Sequence, residues 1–427
     1  MAYVSLSPTP SSDLGRRDGV LVVGAGCGGV EAALALRANG WTGPIDLFDA
    51  ETAWPYHKPP LSKAFLKGAA AETELHLCAP ELLERERITL HLGREVEEID
   101  RQARTVRIRG EDVPRPYSHL VLALGGRART LPGLTAAAPA AENVHHLRTF
   151  EDSLKIREAL RPGGQLVIVG GGFIGLEVAA TARELGLGVI VLEAAPRLLQ
   201  RSVGPAISEF LESLHRARGV EIRTGVMLKG FDMDSVGRSV RAVRFDGTTA
   251  PCDLMVVAIG LEPTVHLAAT AGFPVDNGIL VDANLRTPDP AVFAIGDCAR
   301  FHSVRASSFR RLESVPNALD HARRVAALIC GKMPAAETVP WFWTEQFDAS
   351  LKMAGLAGPG DEEVLRGCPE SGAFSSIYMR NGRMTAIHSV NRPADFMGGR
   401  KLIEKGIPVT ADALADASRP LVKLASG

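Results

Sequence analysis

The sequence predicts an α/β protein with two parallel-sheet domains, the first interrupted by the second, and a C-terminal α+β domain. Three observations carry this. Residues 20–31 and 166–177 share one grammar of apolar run, glycine turn and helix start, and they begin 146 residues apart. Other apolar runs outside these segments also end in glycine. From about Met333 the pattern changes to alternating strands and tight turns.

In the first segment Val20-Leu-Val-Val precedes Gly24-Ala-Gly26-Cys-Gly28-Gly29, then a helical stretch to Asn39-Gly40 and an apolar run at 45–48. An unbroken apolar run marks a strand buried on both faces, and a glycine-capped amphipathic stretch marks a helix, so this is a βαβ unit. Leu166-Val-Ile-Val-Gly170-Gly171-Gly172-Phe-Ile174-Gly175-Leu-Glu177 repeats it, with a helix ending at Leu185-Gly186 and a strand at 189–192. Between the two, residues 117–124 form a further buried strand before Gly125-Gly126, echoed by 254–259 before Gly260. Val292-Phe-Ala-Ile-Gly296-Asp297 is a strand closed by a turn, and a helix over 317–330 stops at Gly331. Asn381-Gly382 between alternating runs predicts a β-hairpin. This places a loose tail at 1–18, a first domain at 19–126 and 254–332, an inserted domain at 145–253, and a C-terminal domain at 333–427.

The glycine spacing gives the two α/β domains a chemistry. In G-x-G-x-x-G at Gly24, Gly26 and Gly29, the first glycine permits the tight turn. The second lets a pyrophosphate approach the backbone, and the third lets helix and strand pack closely. The helix N-terminus adds N–H donors and a positive dipole end. A ribose-binding carboxylate is due ~20 residues later. Asp49 stands 25 residues after Gly24 with Glu51 beside it, and a solvated strand end is the alternative for each. Gly170, Gly172 and Gly175 repeat the loop, and Glu193 follows Gly170 by 23 residues. A carboxylate there accepts from a 2′-hydroxyl and repels a 2′-phosphate, favouring NADH over NADPH, with Arg197 close enough to soften the preference. The fold class is therefore two Rossmann-like dinucleotide-binding domains plus an α+β domain. Glu177, placed on the first helical turn, either complements the helix dipole or faces the cofactor. Asp297 either caps a helix or accepts from a cofactor hydroxyl.

Composition excludes several classes. Lys+Arg total 48 against 49 Asp+Glu, so no charge excess points to nucleic acid or a membrane surface. No apolar stretch reaches the ~18 residues of a membrane span. Arg16-Arg17 precedes an apolar run that leads straight into a glycine loop, so that run reads as a strand and not as an export signal. The closest cysteines, Cys298 and Cys330, are 32 residues apart, which leaves no dithiol pair or metal knuckle and suits a reducing cytoplasm. No histidine spacing suggests a metal, His145-His146 reads as a loop pair, and no serine occupies a G-x-S-x-G elbow. Glycine, 43 of 427 residues, exceeds the usual ~7%, and much of the excess sits in the loops above.

Taken together the motifs resemble the flavin-dependent ferredoxin reductases from about Val20 to Leu424. The distinctive strings are Pro59-Pro60-Leu61-Ser62-Lys63, Gly170–Glu177, Ile295-Gly296-Asp297-Cys-Ala-Arg-Phe, Glu313-Ser-Val315-Pro-Asn-Ala, Trp341-Phe-Trp343-Thr-Glu-Gln and Val390-Asn-Arg-Pro. The resemblance implies FAD in the split domain, NADH in the inserted one, and a C-terminal domain beside the flavin. It implies that Gly24 to Gly29 hold the FAD pyrophosphate, that Lys63 approaches the flavin ring, and that Asp297 binds the ribitol. Val96 matches an adenine contact, Arg148 one on the FAD phosphate side, and the Val315 backbone one at the pyrimidine edge. Trp341 and Trp343 are either interface packing or supply a ring that lies against the flavin or covers the electron exit route, with Trp343 the candidate. Three positions depart from the family. Its ribose acid falls on Ala50, between Asp49 and Glu51; Leu124 replaces a threonine; and no cysteine pair adjoins Lys63, which argues against disulfide chemistry.

A nicotinamide gives two electrons at once and an iron–sulfur protein accepts one, so a flavin must stand between them. The expected activity is electron transfer from NADH to a 2Fe-2S ferredoxin, which by resemblance supplies a cytochrome P-450 monooxygenase. Arg310, Arg311, Arg400 and Lys401 are candidate docking residues near the Trp343 side, with ordinary solvated charges as the alternative. Competing readings are an NADH oxidase, a rubredoxin or dioxygenase reductase, or a non-catalytic redox sensor. A monomer is expected.

Overall fold

The computed structural model describes residues 19–131 and 141–425; the expected tail at 1–18 lies outside them. Strand β1 (Val20–Val23) runs into helix α1 (Cys27–Ala38), followed by β2 (Ile45–Asp49), β3 (Thr89–Leu92) and β4 (His119–Leu122). The inserted sheet then forms from β5 (Val144–His146), β6 (Gln165–Val169), helix α2 (Phe173–Glu184), β7 (Gly188–Glu193), helix α3 (Pro205–Ala217), β8 (Val220–Thr224) and β9 (Leu254–Val257). The chain returns with β10 (Val292–Ala294) and helix α4 (Val315–Ile329). The C-terminal sheet comprises β11 (Trp341–Gln346), β12 (Ala349–Gly355), β13 (Glu362–Cys368), β14 (Ala373–Arg380) and β15 (Arg383–Val390), crossed by helix α5 (Pro393–Lys405).

The first sheet has order β10-β4-β1-β2-β3 and the second β8-β7-β6-β9-β5, both wholly parallel. Parallel strands need cover on both faces, which is why β1 and β9 are buried at every position and β6 at all but Gln165. The C-terminal sheet, order β11-β12-β15-β14-β13, is antiparallel. Arg380 pairs with Arg383 across Asn381 (φ 51°) and Gly382 (φ 69°), the double positive φ of a two-residue hairpin, as the Asn-Gly signal predicts.

Two expectations are corrected. Residues 254–257 do not return to the first domain: β9 hydrogen-bonds to β6, Leu166 opposite Leu254, so the inserted domain runs one strand further than 253. An apolar run announces burial but not which sheet receives it. His145 and His146 sit on edge strand β5, not in a loop.

The C-terminal sheet lies against the inserted domain. Leu351, Phe374 and Val390 share one buried cluster with Leu176, Leu198 and Leu211, and Leu66 from the Pro59 segment joins them. Phe342 meets Phe173 at 4.8 Å. This shared core seats the third domain on the inserted one.

Candidate functional site

The two loops have the same construction. A Cβ on Gly24 (φ +103°) would stand 2.3 Å from the Ala123 carbonyl oxygen, and one on Gly29 would stand 1.8 Å from that of Gly24. Gly26 between them meets nothing within 4 Å. Two glycines therefore serve close packing and the middle one opens a cradle. In the second loop a Cβ on Gly170 would lie 2.4 Å from the Ala258 oxygen and one on Gly175 2.1 Å from the Gly170 oxygen. Gly172 has nothing nearer than 4.0 Å. Helices α1 and α2 start without a side-chain cap and without an acid in the first turn. Their leading N–H groups and dipole are thus free for an anion, and each loop fits a dinucleotide pyrophosphate.

The acids occupy equivalent places. Asp49 accepts from the backbone N–H of Ala25 (2.6 Å) and Glu51 (2.9 Å). Glu193 accepts from Gly171 (2.6 Å) and Ala195 (2.7 Å). Asp49 is therefore the counterpart of Glu193, and burial raises its carboxyl above the ordinary range. Glu51 instead accepts from the Tyr56 hydroxyl at 2.6 Å and pairs with Lys58 at 3.3 Å. The turn that leads to Val96 is tied to both, through Arg94 N–H to the Asp49 carbonyl and Gly93 N–H to that of Glu51. Arg197 is engaged by the carbonyls of Val203 (2.7 Å) and Gln200 (3.1 Å). Its guanidinium is therefore held by its own loop.

Cations surround the first cradle. Arg148 Nη2 lies 3.1 Å from Asp297 Oδ2, and its Nε donates to the Gly126 carbonyl at 2.9 Å. Lys58 stands near enough to Arg148 and Asp49 for their charges to act on it. Burial, with Asp297 adding to it, pushes the Cys27 thiol up to about 11, so the thiol stays protonated. Asp297 caps no helix. Val315 begins α4 behind Ser314, whose hydroxyl accepts from Asn317 N–H. In the second crevice Ile174 is 42% exposed on the first turn of α2. Gly260 (φ +108°) is flanked by Arg129 and Arg201.

Lys63 forms the third feature. Its Nζ is 2.8 Å from Glu177 Oε1 and donates to the Pro59 carbonyl at 3.2 Å. Glu177 sits on the second turn of α2, so it does not complement the first-turn dipole. Ser62 Oγ donates to Glu177 Oε2, and Thr344 Oγ1 to Oε1 at 2.6 Å. The Pro59 segment is held by Ser153 Oγ on the Leu61 carbonyl and Thr181 Oγ1 on the Ser62 carbonyl. Ser62, Thr344, Tyr56 and Lys58 are site neighbours that the sequence reading missed. Ser62 and Thr344 had a local signal, as the neighbours of Lys63 and Trp343 in the distinctive strings; Tyr56 and Lys58 had none.

Trp341 and Trp343 lie 5.4 Å apart, with Phe396 of α5 5.9 Å from Trp341 and Arg400 over its ring. Arg310 and Lys401 are exposed. Arg311 is a correction: it is turned inward, 10% exposed, bonded to the Asp297 carbonyl at 3.3 Å and paired with Glu313 at 2.7 Å. It leaves the docking set.

Comparison with known proteins gives a consistent result. The pyridine nucleotide-disulphide oxidoreductase family matches residues 18–322, and the reductase C-terminal family matches residues 341–425. Putidaredoxin reductase of Pseudomonas putida is 44% identical, covering 96% of this chain and 97% of its own. Rhodocoxin reductase of Rhodococcus erythropolis is 40% identical, covering 93% and 92%. The solved covalent putidaredoxin reductase–putidaredoxin complex superposes with a TM-score of 0.93 at 43% identity, over 96% of this chain and 98% of that one.

Proposed function

The chain belongs to the pyridine nucleotide-disulphide oxidoreductase family and ends in a reductase C-terminal domain, and on that premise we propose that it is an NADH-dependent, FAD-containing ferredoxin reductase. The observation that carries this reading is the pair of open glycine cradles on two parallel sheets of one chain, in a protein that matches such reductases end to end. Two dinucleotides serve one site, and no cysteine pair adjoins Lys63 to divert the electrons to a disulfide.

FAD supplies the conversion between two-electron and one-electron transfer. The chain's residues bind and orient. Gly24, Gly26, Gly28, Gly29 and the α1 N-terminus take the FAD pyrophosphate, Asp49 its ribose, and the Val96 turn its adenine. Glu51, engaged by Tyr56 and Lys58, supports that end. Arg148 serves the phosphate side, Asp297 the ribitol and the Val315 backbone the pyrimidine edge. Lys63 places an ammonium where negative charge grows on reduction. Gly170, Gly172, Gly175 and the α2 N-terminus take the NADH pyrophosphate, with Ile174 and Gly260 lining the crevice. Glu193 accepts from the ribose and, with Arg197 held elsewhere, disfavours NADPH. Trp343 covers the flavin on the partner side.

The acceptor is a 2Fe-2S ferredoxin, as in the putidaredoxin complex, and the terminal enzyme a cytochrome P-450. Docking uses Arg310, Arg400 and Lys401. No described helix is long and apolar enough to cross a membrane, and this reading places a monomer in the cytoplasm. Anaerobic titration with NADH should bleach the yellow protein, and a 2Fe-2S ferredoxin should restore its colour. A protein that stays oxidised under excess NADH overturns the reading. Charge reversal at Arg310 and Lys401 should raise the ferredoxin KM at low salt, with the difference shrinking as salt screens the surface. Unchanged kinetics at low salt remove those residues from the docking face.

A further inference from the structure

Resting on the reading of Lys63 as the residue beside the flavin, we propose that Thr344 and Gln346 of the C-terminal domain are positioning residues for that lysine, acting through Glu177. Glu177 is 3% exposed and receives Lys63, Ser62 and Thr344. Thr344 accepts from Gln346 Nε2 at 3.2 Å, and Gln346 Oε1 faces His215 Nε2 of α3 at 2.9 Å. Thr344, Gln346 and His215 are each 1% exposed or less. Side chains alternate along β11, so Thr344 and Gln346 share the face with Phe342, opposite Trp341 and Trp343. One strand thus carries the tryptophan pair on one face and the lysine's anchor on the other.

The direction of each donor follows from Glu177 outward. The Oε1 that meets Lys63 accepts, so the Thr344 hydroxyl donates to it and takes the Gln346 amide N–H on a lone pair. That turns Gln346 Oε1 toward His215, whose Nε2 carries the proton. Burial holds His215 well below its usual value, at about 4, so the ring is neutral with its proton on Nε2, and its buried Nδ1 is an acceptor without a partner. From Lys63 to His215 Nε2 every link has its partner, across three domains. Lysine is a flexible stem with a point charge, and what fixes the Lys63 ammonium is Glu177 and the Pro59 carbonyl. Glu177 in turn is fixed by two neutral donors, Ser62 and Thr344. Without the Thr344 hydroxyl the carboxylate is less compensated and holds the ammonium less firmly. Both consequences make negative charge on the flavin less favourable.

The test uses the FAD-loaded parent, Thr344→Val and Thr344→Ser, with the potential of the bound flavin measured against reference dyes. Valine keeps the shape and deletes the donor. Its reduction equilibrium should become about tenfold less favourable, a shift of about −30 mV for a two-electron couple. Serine, which restores the donor, should return it to within about threefold. A purely structural role would lower thermal stability and leave the potential in place. A valine variant that retains FAD at the parental potential overturns the proposal. If valine prevents flavin retention, Gln346→Met removes the next donor and should shift the potential in the same direction; no shift overturns the proposal. A parent that NADH fails to bleach overturns the functional reading as well, whereas a bleaching parent with an unshifted valine variant overturns this inference alone.

Discussion

Gly29→Ala should be purified colourless, whereas Gly175→Ala should be purified yellow and fail to bleach with NADH. The two substitutions place the same methyl group in the same geometry. At 29 it lands 1.8 Å from the Gly24 carbonyl oxygen, at 175 it lands 2.1 Å from that of Gly170. Both obstacles are backbone, so no side chain can swing aside. The helix must move off its strand, carrying the N–H donors we assign to the pyrophosphate, so the affinity of the cradle for its dinucleotide should fall. Overpacking adds about 1–3 kcal/mol of destabilisation to the affected domain. Gly26→Ala separates the two effects. Its Cβ meets nothing within 4 Å, so the apoprotein should melt like the parent's while flavin affinity falls, because the methyl group stands in the open cradle. Flavin-to-protein absorbance ratios and melting of the apoproteins read all three outcomes. A stoichiometric flavin content in Gly29→Ala would remove the first loop from FAD binding.

The same loops show what a sequence can disclose. Their glycines, strands and helices are contiguous, so a spacing of a few residues encodes the whole device, and the Asn381-Gly382 hairpin is legible for the same reason. Sheet membership is not local, so the apolar run at 254–257 does not disclose that it pairs with 166–169 and belongs to the inserted domain. The two acids near Gly24 could be ordered only by internal equivalence, since Asp49 repeats the backbone bonds of Glu193 and Glu51 does not. Lys63 and Glu177 are each legible as single residues, but their pairing is not. Ser62 and Glu177 are 115 residues apart, and Glu177 and Thr344 are 167 apart, on segments from three domains. Arg311 has a surface residue's chemistry but a half-buried position, its guanidinium bonded to the Asp297 carbonyl and paired with Glu313.

The C-terminal domain depends on one buried cation, and Asp395→Ala should expose that dependence. Arg366 on β13 is 1% exposed. Its Nη1 donates to the carbonyls of Leu414 (3.0 Å) and Asp416, its Nη2 to that of Arg419 at 2.8 Å, and its Nε lies 3.0 Å from Asp395 Oδ1. Asp395, 3% exposed on the first turn of α5, also meets Arg392 and accepts from Ser375 Oγ at 3.3 Å. The guanidinium therefore ties the chain's last segment and α5 to one sheet. Removing the carboxylate leaves Arg366 charged and buried with carbonyl dipoles alone, a loss of about 3–5 kcal/mol. The loss falls on this domain, so melting should split into two transitions, the first seen in tryptophan fluorescence because Phe396 and Arg400 of α5 pack on Trp341. Flavin should survive that first transition. The double variant Arg366→Met with Asp395→Leu should recover part of the loss, since no charge is then stranded. Recovery stays incomplete because the carbonyls of 414, 416 and 419 lose their donor. An Asp395→Ala protein within about 0.5 kcal/mol of the parent, the range of ordinary surface substitutions, would show that the carbonyls of 414, 416 and 419 alone suffice for the Arg366 guanidinium.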